Sequence, residues 1–217
     1  MHTVIFDLDG TLSDSVILAK AAFERLAPKH GLPIPSEDAI RRATGYANPE
    51  FYYILFPDFP RETVYNLGVL VEQEELEQLP LVSDRLLFEG CRELLERLQQ
   101  YKLRLCLAST GEKDHVYSIL GKTGIMGFFD VIACARPDKT EMLREIIGDS
   151  GKSGCIMVGD MVKDHDAARA NGILSVGACY GYCVREPSRG LSGFDFYIDT
   201  PLELLDILKL QEIKCHL

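Results

Sequence analysis

The sequence is short of positive charge. Its 217 residues include 23 lysines and arginines against 33 aspartates and glutamates, which gives a net charge of −10. Proteins that bind nucleic acids rely on basic surfaces that contact the phosphate backbone. We therefore expect no nucleic-acid partner. A phosphate group that binds to this acidic chain must be held locally, by a cation or by a few well-placed donors.

Long hydrophobic runs are also missing. No apolar stretch approaches the roughly 20 residues of a membrane-spanning helix. The beginning, MHTVIFDLDG, lacks the basic segment of a secretory signal and turns acidic at once. The seven cysteines are an odd number, and Cys179 and Cys183 lack the second Cys or His pair of a zinc site. These absences predict a cytoplasmic protein without a membrane partner.

Two segments, LGKTG at 120–124 and SGKSG at 150–154, contain part of the phosphate-binding loop G-x-x-x-x-G-K-[S/T] but lack its first glycine. Val116 stands at that position before the first segment, and Ile146 before the second. Neither segment follows a predicted strand. We therefore interpret both as turns that end helices and exclude an ATP-binding loop there.

What the sequence does contain is an alternation of short apolar runs with helical patterns rich in Leu, Glu, Arg and Lys, such as CRELLERLQQ at 91–100. Strands that alternate with helices are typical of a parallel sheet covered on both faces. We therefore predict an α/β fold. The predicted strands are 3–6, 103–108, 130–133, 155–158 and 174–177, with a weaker one at 194–198.

Residues 16–82 interrupt this alternation, because they contain helical patterns and no clear strand. Their apolar residues recur at helical spacing from residue 16 onward. We interpret the acidic run EQEELEQ at 72–78 as the solvent-exposed face of a long helix. The pattern predicts a small helical domain over 16–82, inserted into a core formed by 1–15 and 83–217.

The first predicted strand ends in two acidic residues, Asp7 and Asp9, within the string VIFDLDGTLSDS. Residues two apart in a strand point to the same side, so both carboxylates are expected to face one spot while Leu8 turns into the core. Ligands of parallel α/β sheets bind beyond the carboxyl ends of the strands. Gly10 allows a tight turn there, and Thr11 adds a hydroxyl. The string therefore predicts a ligand site.

Three later segments carry polar residues at comparable positions. Ser109 ends the apolar run LRLCLA, and Lys139 stands near the start of the predicted helix TEMLREIIG. In CIMVGDMVKD, an apolar strand runs into Asp160, and Asp164 follows four residues later. Together with DLDGTLSDS, these segments resemble in order the four motifs of the haloacid dehalogenase-like hydrolases. The string DGTL-x-DS is similar to the phosphoglycolate phosphatase-like branch of that family.

The resemblance implies a Rossmann-like core, a helical cap and a Mg²⁺-dependent phosphatase that forms an aspartyl-phosphate. Asp7 would be the nucleophile, since a carboxylate is already ionised at neutral pH. Asp9 would protonate the leaving group and then activate water, and the neighbouring carboxylate should raise its pKa. By the same resemblance, the Mg²⁺ ligands would be Asp7, Asp160 and the Asp9 carbonyl, and Asp164 would support the ion through water. The phosphate-binding groups would be Ser109, Lys139 and the amides around Gly10 and Thr11.

The implied substrate is a small phosphorylated metabolite such as phosphoglycolate, and we expect a monomer or homodimer. Arg41, Arg42 or Tyr46, in the segment RRATGYANPE, could meet an anionic or polar leaving group, although arginines at helix ends more often lie on the surface. Two alternatives share the same core: a phosphosugar mutase similar to β-phosphoglucomutase, and an inorganic pyrophosphatase. Asp9 argues against a haloacid dehalogenase, because in this family a carboxylate at that position is typical of phosphate chemistry.

Overall fold

The computed structural model describes residues 3–44, 46, 48–148, 151–182 and 193–215, with side chains described up to Lys209. Cys183 of the predicted cysteine pair lies outside these residues, whereas Cys179 is a buried free thiol. Within the described ranges, we find no helix that combines the length and the apolar character needed to cross a membrane.

A parallel sheet forms the centre of the described structure. Its strands are β1 Thr3–Phe6, β2 Arg104–Ala108, β3 Val131–Ala133, β4 Cys155–Gly159, β5 Leu174–Ala178 and β6 Phe196–Ile198. All pairings are parallel, and the strand order is β3-β2-β1-β4-β5-β6. These strands lie close to the predicted segments, which confirms the predicted α/β fold. The position of β1 between β2 and β4 explains why all its residues are apolar or buried.

Helices occupy the segment between the first two strands. They are α1 Val16–Leu26, α2 Glu37–Ala43, α3 Glu50–Leu55 and α4 Arg61–Val82. These helices share a hydrophobic cluster in which the ring centroid of Phe23 lies 5.8 Å from that of Phe56 and 6.3 Å from that of Tyr52. The end of α4 packs elsewhere, since Leu79 and Val82 belong to the cluster on the sheet. The last turn of α4 therefore joins the helical segment to the sheet.

The acidic run at 72–78 is only partly exposed, so the prediction of a solvent-exposed face was wrong for two of its residues. Glu74 is buried, and its Oε1 lies 3.0 Å from the Nε of Arg25. The side chain of Glu75 is 14% exposed, whereas Glu77 faces solvent. Because successive helical residues rotate around the axis, a continuous acidic run covers several faces of α4.

The remaining helices cover both faces of the sheet. They are α5 Cys91–Gln100, α6 Lys113–Lys122, α7 Lys139–Ile147, α8 Val162–Asn171 and α9 Leu204–Cys215. Val4 and Phe6 pack with α5, α6 and α9 on one face, and Ile5 packs with α7 and α8 on the other. This alternation along β1 fixes the direction in which the residues after Phe6 leave the sheet.

Candidate active site

The carboxyl ends of β1 and β4 bring three aspartates together. The amide of Asp7 donates a hydrogen bond to the carbonyl oxygen of Val158 (2.9 Å), so the strand pairing extends to the residue whose side chain enters the site. Asp160 directly follows β4, and Asp164 lies in the first turn of α8. One carboxylate oxygen from each aspartate lies within 4.8 Å of the others, and all three residues are buried. The structure thus groups the residues that the resemblance associates with a metal ion.

Two glycines allow these carboxylates to come so close. Gly10 has a φ angle of +84°, and a Cβ atom there would lie 2.4 Å from Oδ2 of Asp160. A Cβ atom at Gly159 would lie 2.2 Å from Cγ of Asp164. Because such contacts are far below van der Waals distance, a side chain at either position would displace a carboxylate.

Lys139 supplies the positive charge of this group. It is the first residue of α7, and its Nζ lies 2.8 Å from Oδ1 of Asp7 and 2.5 Å from Oδ1 of Asp164. Burial lowers the pKa of Lys139, but the charges of Asp164 and Asp7 outweigh that effect and raise it above its ordinary value. The same two carboxylates offset the unfavourable position of a cation at a helix N-terminus.

The three carboxylates outnumber the ammonium group among them. Burial raises the pKa of Asp7 to about 7, although the charge of Lys139 opposes the rise. Burial, together with the charges of Asp7 and Asp164, raises the pKa of Asp160 to about 8. A divalent cation would correct this excess of negative charge, and carboxylate oxygens are ligands that Mg²⁺ prefers. The donor set therefore fits a magnesium ion.

Ser109 lies at the same edge of the sheet. It directly follows β2, is buried, and lines a cavity that also contains the carboxylates of Asp7 and Asp9. Its Oγ accepts a hydrogen bond from the amide of Gly111 at 3.1 Å. That this hydroxyl binds an oxygen of the phosphate group stays a prediction.

The amides of Gly10 and Thr11 have other partners. The Gly10 amide donates to the carbonyl oxygen of Ser13 (2.9 Å), and the Thr11 amide donates to that of Leu8 (3.2 Å). The hydroxyl of Thr11 lies 3.5 Å from Oδ1 of Asp160. In this conformation these residues close the turn after β1, and the binding of a phosphate by the amides around Gly10 and Thr11 stays a prediction.

A histidine that the sequence did not single out contacts Asp9. The Nε2 of His115 lies 3.0 Å from Oδ1 of Asp9, and its Nδ1 lies 3.8 Å from Oε2 of Glu75. Burial raises the pKa of Asp9, but the charge and hydrogen bond of His115 outweigh that effect and lower it. The predicted rise was therefore wrong, because the charge and hydrogen bond of His115 lower the pKa of Asp9 by more than burial raises it. Burial lowers the pKa of His115, whereas Asp9 and Glu75 raise it to about 9.

A cavity of about 630 Å³ opens over Asp7, Asp9 and Ser109. Helices from the segment 16–82 form its opposite wall, with aromatic, amide and acidic side chains. The side chains of this wall include those of Tyr46, Asn48, Tyr52, Tyr65, Glu72 and Glu75. The cavity therefore joins the aspartates at the sheet edge to the helical segment.

The predicted leaving-group segment, 41–50, lines the cavity through residues other than its two arginines. Arg41 is engaged elsewhere, with its Nη2 2.8 Å from Oε1 of Glu37. Arg42 is exposed, and neither arginine lines the cavity, whereas Tyr46 does. Two residues of this segment lie outside the described ranges.

Known proteins resemble the chain along most of its length. It is 26% identical over 218 residues to a phosphoglycolate phosphatase of Synechococcus elongatus, which covers 94% of this chain and 96% of that protein. It is 31% identical over 197 residues to the tyrosine-protein kinase PtkA of Mycobacterium tuberculosis, and this alignment covers 82% of this chain and 62% of that protein. The crystal structure of a predicted phosphoglycolate phosphatase from Haemophilus somnus has the same fold, with a TM-score of 0.85 at 22% identity over 95% of this chain and 97% of that one.

A family model matches residues 4–178, a span that begins within β1 and ends with β5. It contains the aspartates at the ends of β1 and β4, Ser109 and Lys139. Motif order, fold and family match agree, and we conclude that the chain belongs to the haloacid dehalogenase-like hydrolase family.

Proposed function

We propose that this phosphatase hydrolyses the phosphate ester of a small metabolite in a Mg²⁺-dependent reaction, through an aspartyl-phosphate at Asp7. The observation that carries the proposal is the buried group of Asp7, Asp160, Asp164 and Lys139 at the edge of the cavity. The similarity to the Synechococcus elongatus phosphoglycolate phosphatase, over nearly all of both chains, supports the same class of reaction.

Asp7 and Asp160 would hold Mg²⁺ through side-chain oxygens, with the Asp9 carbonyl as a further ligand by family resemblance. The bound ion would reduce the repulsion between these carboxylates and the phosphate of the substrate. Asp164 would support the ion through water. Its Oδ1 accepts a hydrogen bond from Lys139 (2.5 Å) and its Oδ2 accepts one from the amide of Met161 (2.9 Å), so it also links Lys139, the first residue of α7, to the start of α8.

In the first half of the reaction, a carboxylate oxygen of Asp7 attacks phosphorus, and the bond from phosphorus to the leaving oxygen breaks. Lys139 and Ser109 bind the phosphoryl oxygens and stabilise their charge. The leaving oxygen takes a proton from the hydrogen-bonded pair of Asp9 and His115. Because the pKa of Asp9 is lowered and that of His115 is raised to about 9, this pair holds its proton mainly on the imidazole.

In the second half, the same pair removes a proton from a water molecule. The water oxygen attacks phosphorus, inorganic phosphate leaves, and the Asp7 carboxylate is restored. His115 does not need to contact the substrate for this role, because its hydrogen bond orients the Asp9 carboxylate. The pair holds a proton before the first step, lacks it between the two steps and regains it from water in the second.

We further propose that the helices of 16–82 act as a cap over a core formed by 1–15 and 83–217. Two observations support this division. Apart from Tyr182 and the partly buried Phe88, the cluster shared by α1 to α4 consists of residues of 16–82, and these helices form the wall of the cavity opposite the aspartates. A cap in this position excludes water from the first attack and contacts the leaving group.

Phosphate release from p-nitrophenyl phosphate tests the proposal. We expect release only when Mg²⁺ is present, loss of activity on chelation, and no activity in Asp7→Asn. Asp166→Asn, at an exposed position two residues after Asp164, is the matched control and should remain active. Wild-type activity in Asp7→Asn would refute the mechanism.

Two further assays separate the alternatives. A phosphosugar mutase would convert a sugar 1-phosphate into a sugar 6-phosphate without accumulating free phosphate. An inorganic pyrophosphatase would release phosphate from pyrophosphate and leave phosphomonoesters intact. The proposed phosphatase should instead release free phosphate from several phosphomonoesters.

A further inference from the structure

The wall of the cavity that faces the aspartates is acidic. Glu72 and Glu75 lie on neighbouring turns of α4, and both line the cavity. Oε1 of Glu72 accepts a hydrogen bond from Nδ2 of Asn48 (2.7 Å). Glu72 is therefore held in place within the wall.

Glu75 is held less firmly. Its side chain is 14% exposed, and its Oε2 lies 3.8 Å from Nδ1 of His115. In the part of the chain that the structure describes, its carboxylate receives no hydrogen bond, and the imidazole beside it already bonds to Asp9. The carboxylate oxygens of Glu75 can therefore accept hydrogen bonds from a ligand in the cavity.

Positive charge on this side of the cavity is scarce. Among the described cavity-lining residues of 16–82, none is a lysine or an arginine. Across the cavity, Lys113 is exposed and its Nζ lies 5.8 Å from the ring centroid of Tyr117, while Glu112 and Asp114 add acidic groups. Lys139 is enclosed by Asp7 and Asp164. His115 also lines the cavity and holds a proton, but its Nε2 faces the carboxylate of Asp9 (3.0 Å) and its Nδ1 that of Glu75 (3.8 Å). A carboxylate on the leaving group would therefore meet acidic side chains, with this imidazolium already placed between two carboxylates.

The electrostatics of Glu75 agree with this geometry. Burial raises its pKa to about 7, and the charges of Asp9 and Glu72 add to the rise while that of His115 opposes it. A hydrogen-bond donor on the substrate, above all an ammonium group, would favour the ionised carboxylate.

We propose that the cavity selects phosphomonoesters whose leaving alcohol carries hydrogen-bond donors, such as amino or hydroxyl groups, and discriminates against a leaving alcohol that carries a carboxylate. This inference rests on the proposed phosphatase function and narrows its substrate class. Glu75 and Glu72 are the specificity-determining residues, and phosphoglycolate becomes a poor substrate in spite of the family branch that the motifs resemble.

Three nearly isosteric substrates test the inference: 2-aminoethyl phosphate, 2-hydroxyethyl phosphate and phosphoglycolate. We expect kcat/KM to be lowest for phosphoglycolate, by about tenfold or more relative to 2-aminoethyl phosphate, as one partly screened charge pair can produce. The hydroxyl compound should fall between the other two. A value of kcat/KM for phosphoglycolate equal to or above that for the amino compound would overturn the inference without any variant.

Variants then assign the discrimination to the acidic wall. Glu75→Gln and Glu72→Gln should each reduce the preference for the amino compound over phosphoglycolate by about threefold or more. Glu77→Gln, at an exposed position on the same helix, is the matched control and should leave the preference unchanged. An unchanged preference in both wall variants would show that these residues do not determine it.

Turnover of p-nitrophenyl phosphate in the same experiment separates the two proposals. Absence of Mg²⁺-dependent turnover of all four compounds overturns the phosphatase proposal and this inference with it. Turnover of p-nitrophenyl phosphate together with a preference for phosphoglycolate overturns only the inference.

Discussion

Lys139 is a buried cation between acidic side chains, and the stability of the folded protein depends on this pairing of charges. Its Nζ lies between Asp7 and Asp164, and its side chain is 3% exposed. Replacing one partner of a buried ion pair leaves the other charge uncompensated, which costs about 3–5 kcal/mol. Here, loss of the amine would leave two carboxylates facing each other, and a bound cation would reduce the repulsion between them.

Lys139→Met should therefore lower the free energy of unfolding by about 3 kcal/mol in Mg²⁺-free buffer, and by less when Mg²⁺ is present. Urea denaturation with and without Mg²⁺ measures both values. Lys122→Met, at an exposed position at the end of α6, controls for the loss of a lysine and should change little. Equal destabilisation in both buffers would contradict the account of the charge balance.

His115 affects the reaction through Asp9, so the size of its effect should depend on the leaving group. His115→Gln should lower kcat for an alkyl phosphate by about tenfold or more, since an alkoxide needs a proton to leave. The effect on p-nitrophenyl phosphate should be smaller, because p-nitrophenolate leaves without one.

The exposed His30 provides the control, and His30→Gln should leave both rates unchanged. Steady-state kinetics on the two substrates gives the comparison. The same proportional loss on both would contradict a role of His115 in protonating the leaving group and would place its effect in a step that both substrates share.

At the scale of elements, the site residues lie where strands end and helices begin. Asp7, Ser109 and Asp160 each follow a strand, and Lys139 begins a helix. These positions could be predicted from the sequence, because parallel strands present their carboxyl ends at one edge of the sheet. The strands themselves could be predicted from apolar runs, because central parallel strands are buried on both faces.

Other features of the site could not be predicted in this way. His115 and Glu75 lie within helices, and they meet only because α4 approaches α6 in the folded chain. The acidic run around Glu75 looked like a solvated surface for that reason. The direction of the Asp9 pKa shift depended on the contact between Asp9 and His115, which lie 106 positions apart.

The turn after β4 provides a prediction at this scale. A methyl group at Gly159 would collide with Asp164, so Gly159→Ala should disturb the carboxylate cluster and weaken Mg²⁺ binding. Wild-type protein saturated with Mg²⁺ at about 100 times its Kd gains about 2.7 kcal/mol of stability. The variant should gain clearly less in the same thermal unfolding experiment.

Gly127→Ala is the matched control, because a Cβ atom at Gly127 would meet no atom within 4 Å. It should keep the full stabilisation by Mg²⁺. If Gly159→Ala were stabilised by Mg²⁺ as strongly as the wild type, the cluster of Asp7, Asp160 and Asp164 would not be the metal site.

At the scale of the whole molecule, the negative charge of the chain and its proposed phosphate chemistry are compatible because the site compensates charge locally. The net charge is −10, and the aspartate cluster adds to it where an anionic substrate must bind. Lys139 and a bound Mg²⁺ would supply the compensation at that edge, and as the proposed cap the helices of 16–82 would separate the reacting groups from bulk water. The predicted monomer or homodimer stays a prediction.

The central claim is that Asp7 becomes phosphorylated, and chemical trapping tests it most directly. Wild-type enzyme turning over p-nitrophenyl phosphate with Mg²⁺ is quenched in acid and treated with borohydride, which reduces an aspartyl-phosphate to homoserine. Mass spectrometry of the peptides then locates the homoserine. Our account predicts homoserine at position 7 only when substrate and Mg²⁺ are both present. Active enzyme without homoserine at position 7, or with homoserine at another aspartate, would contradict it.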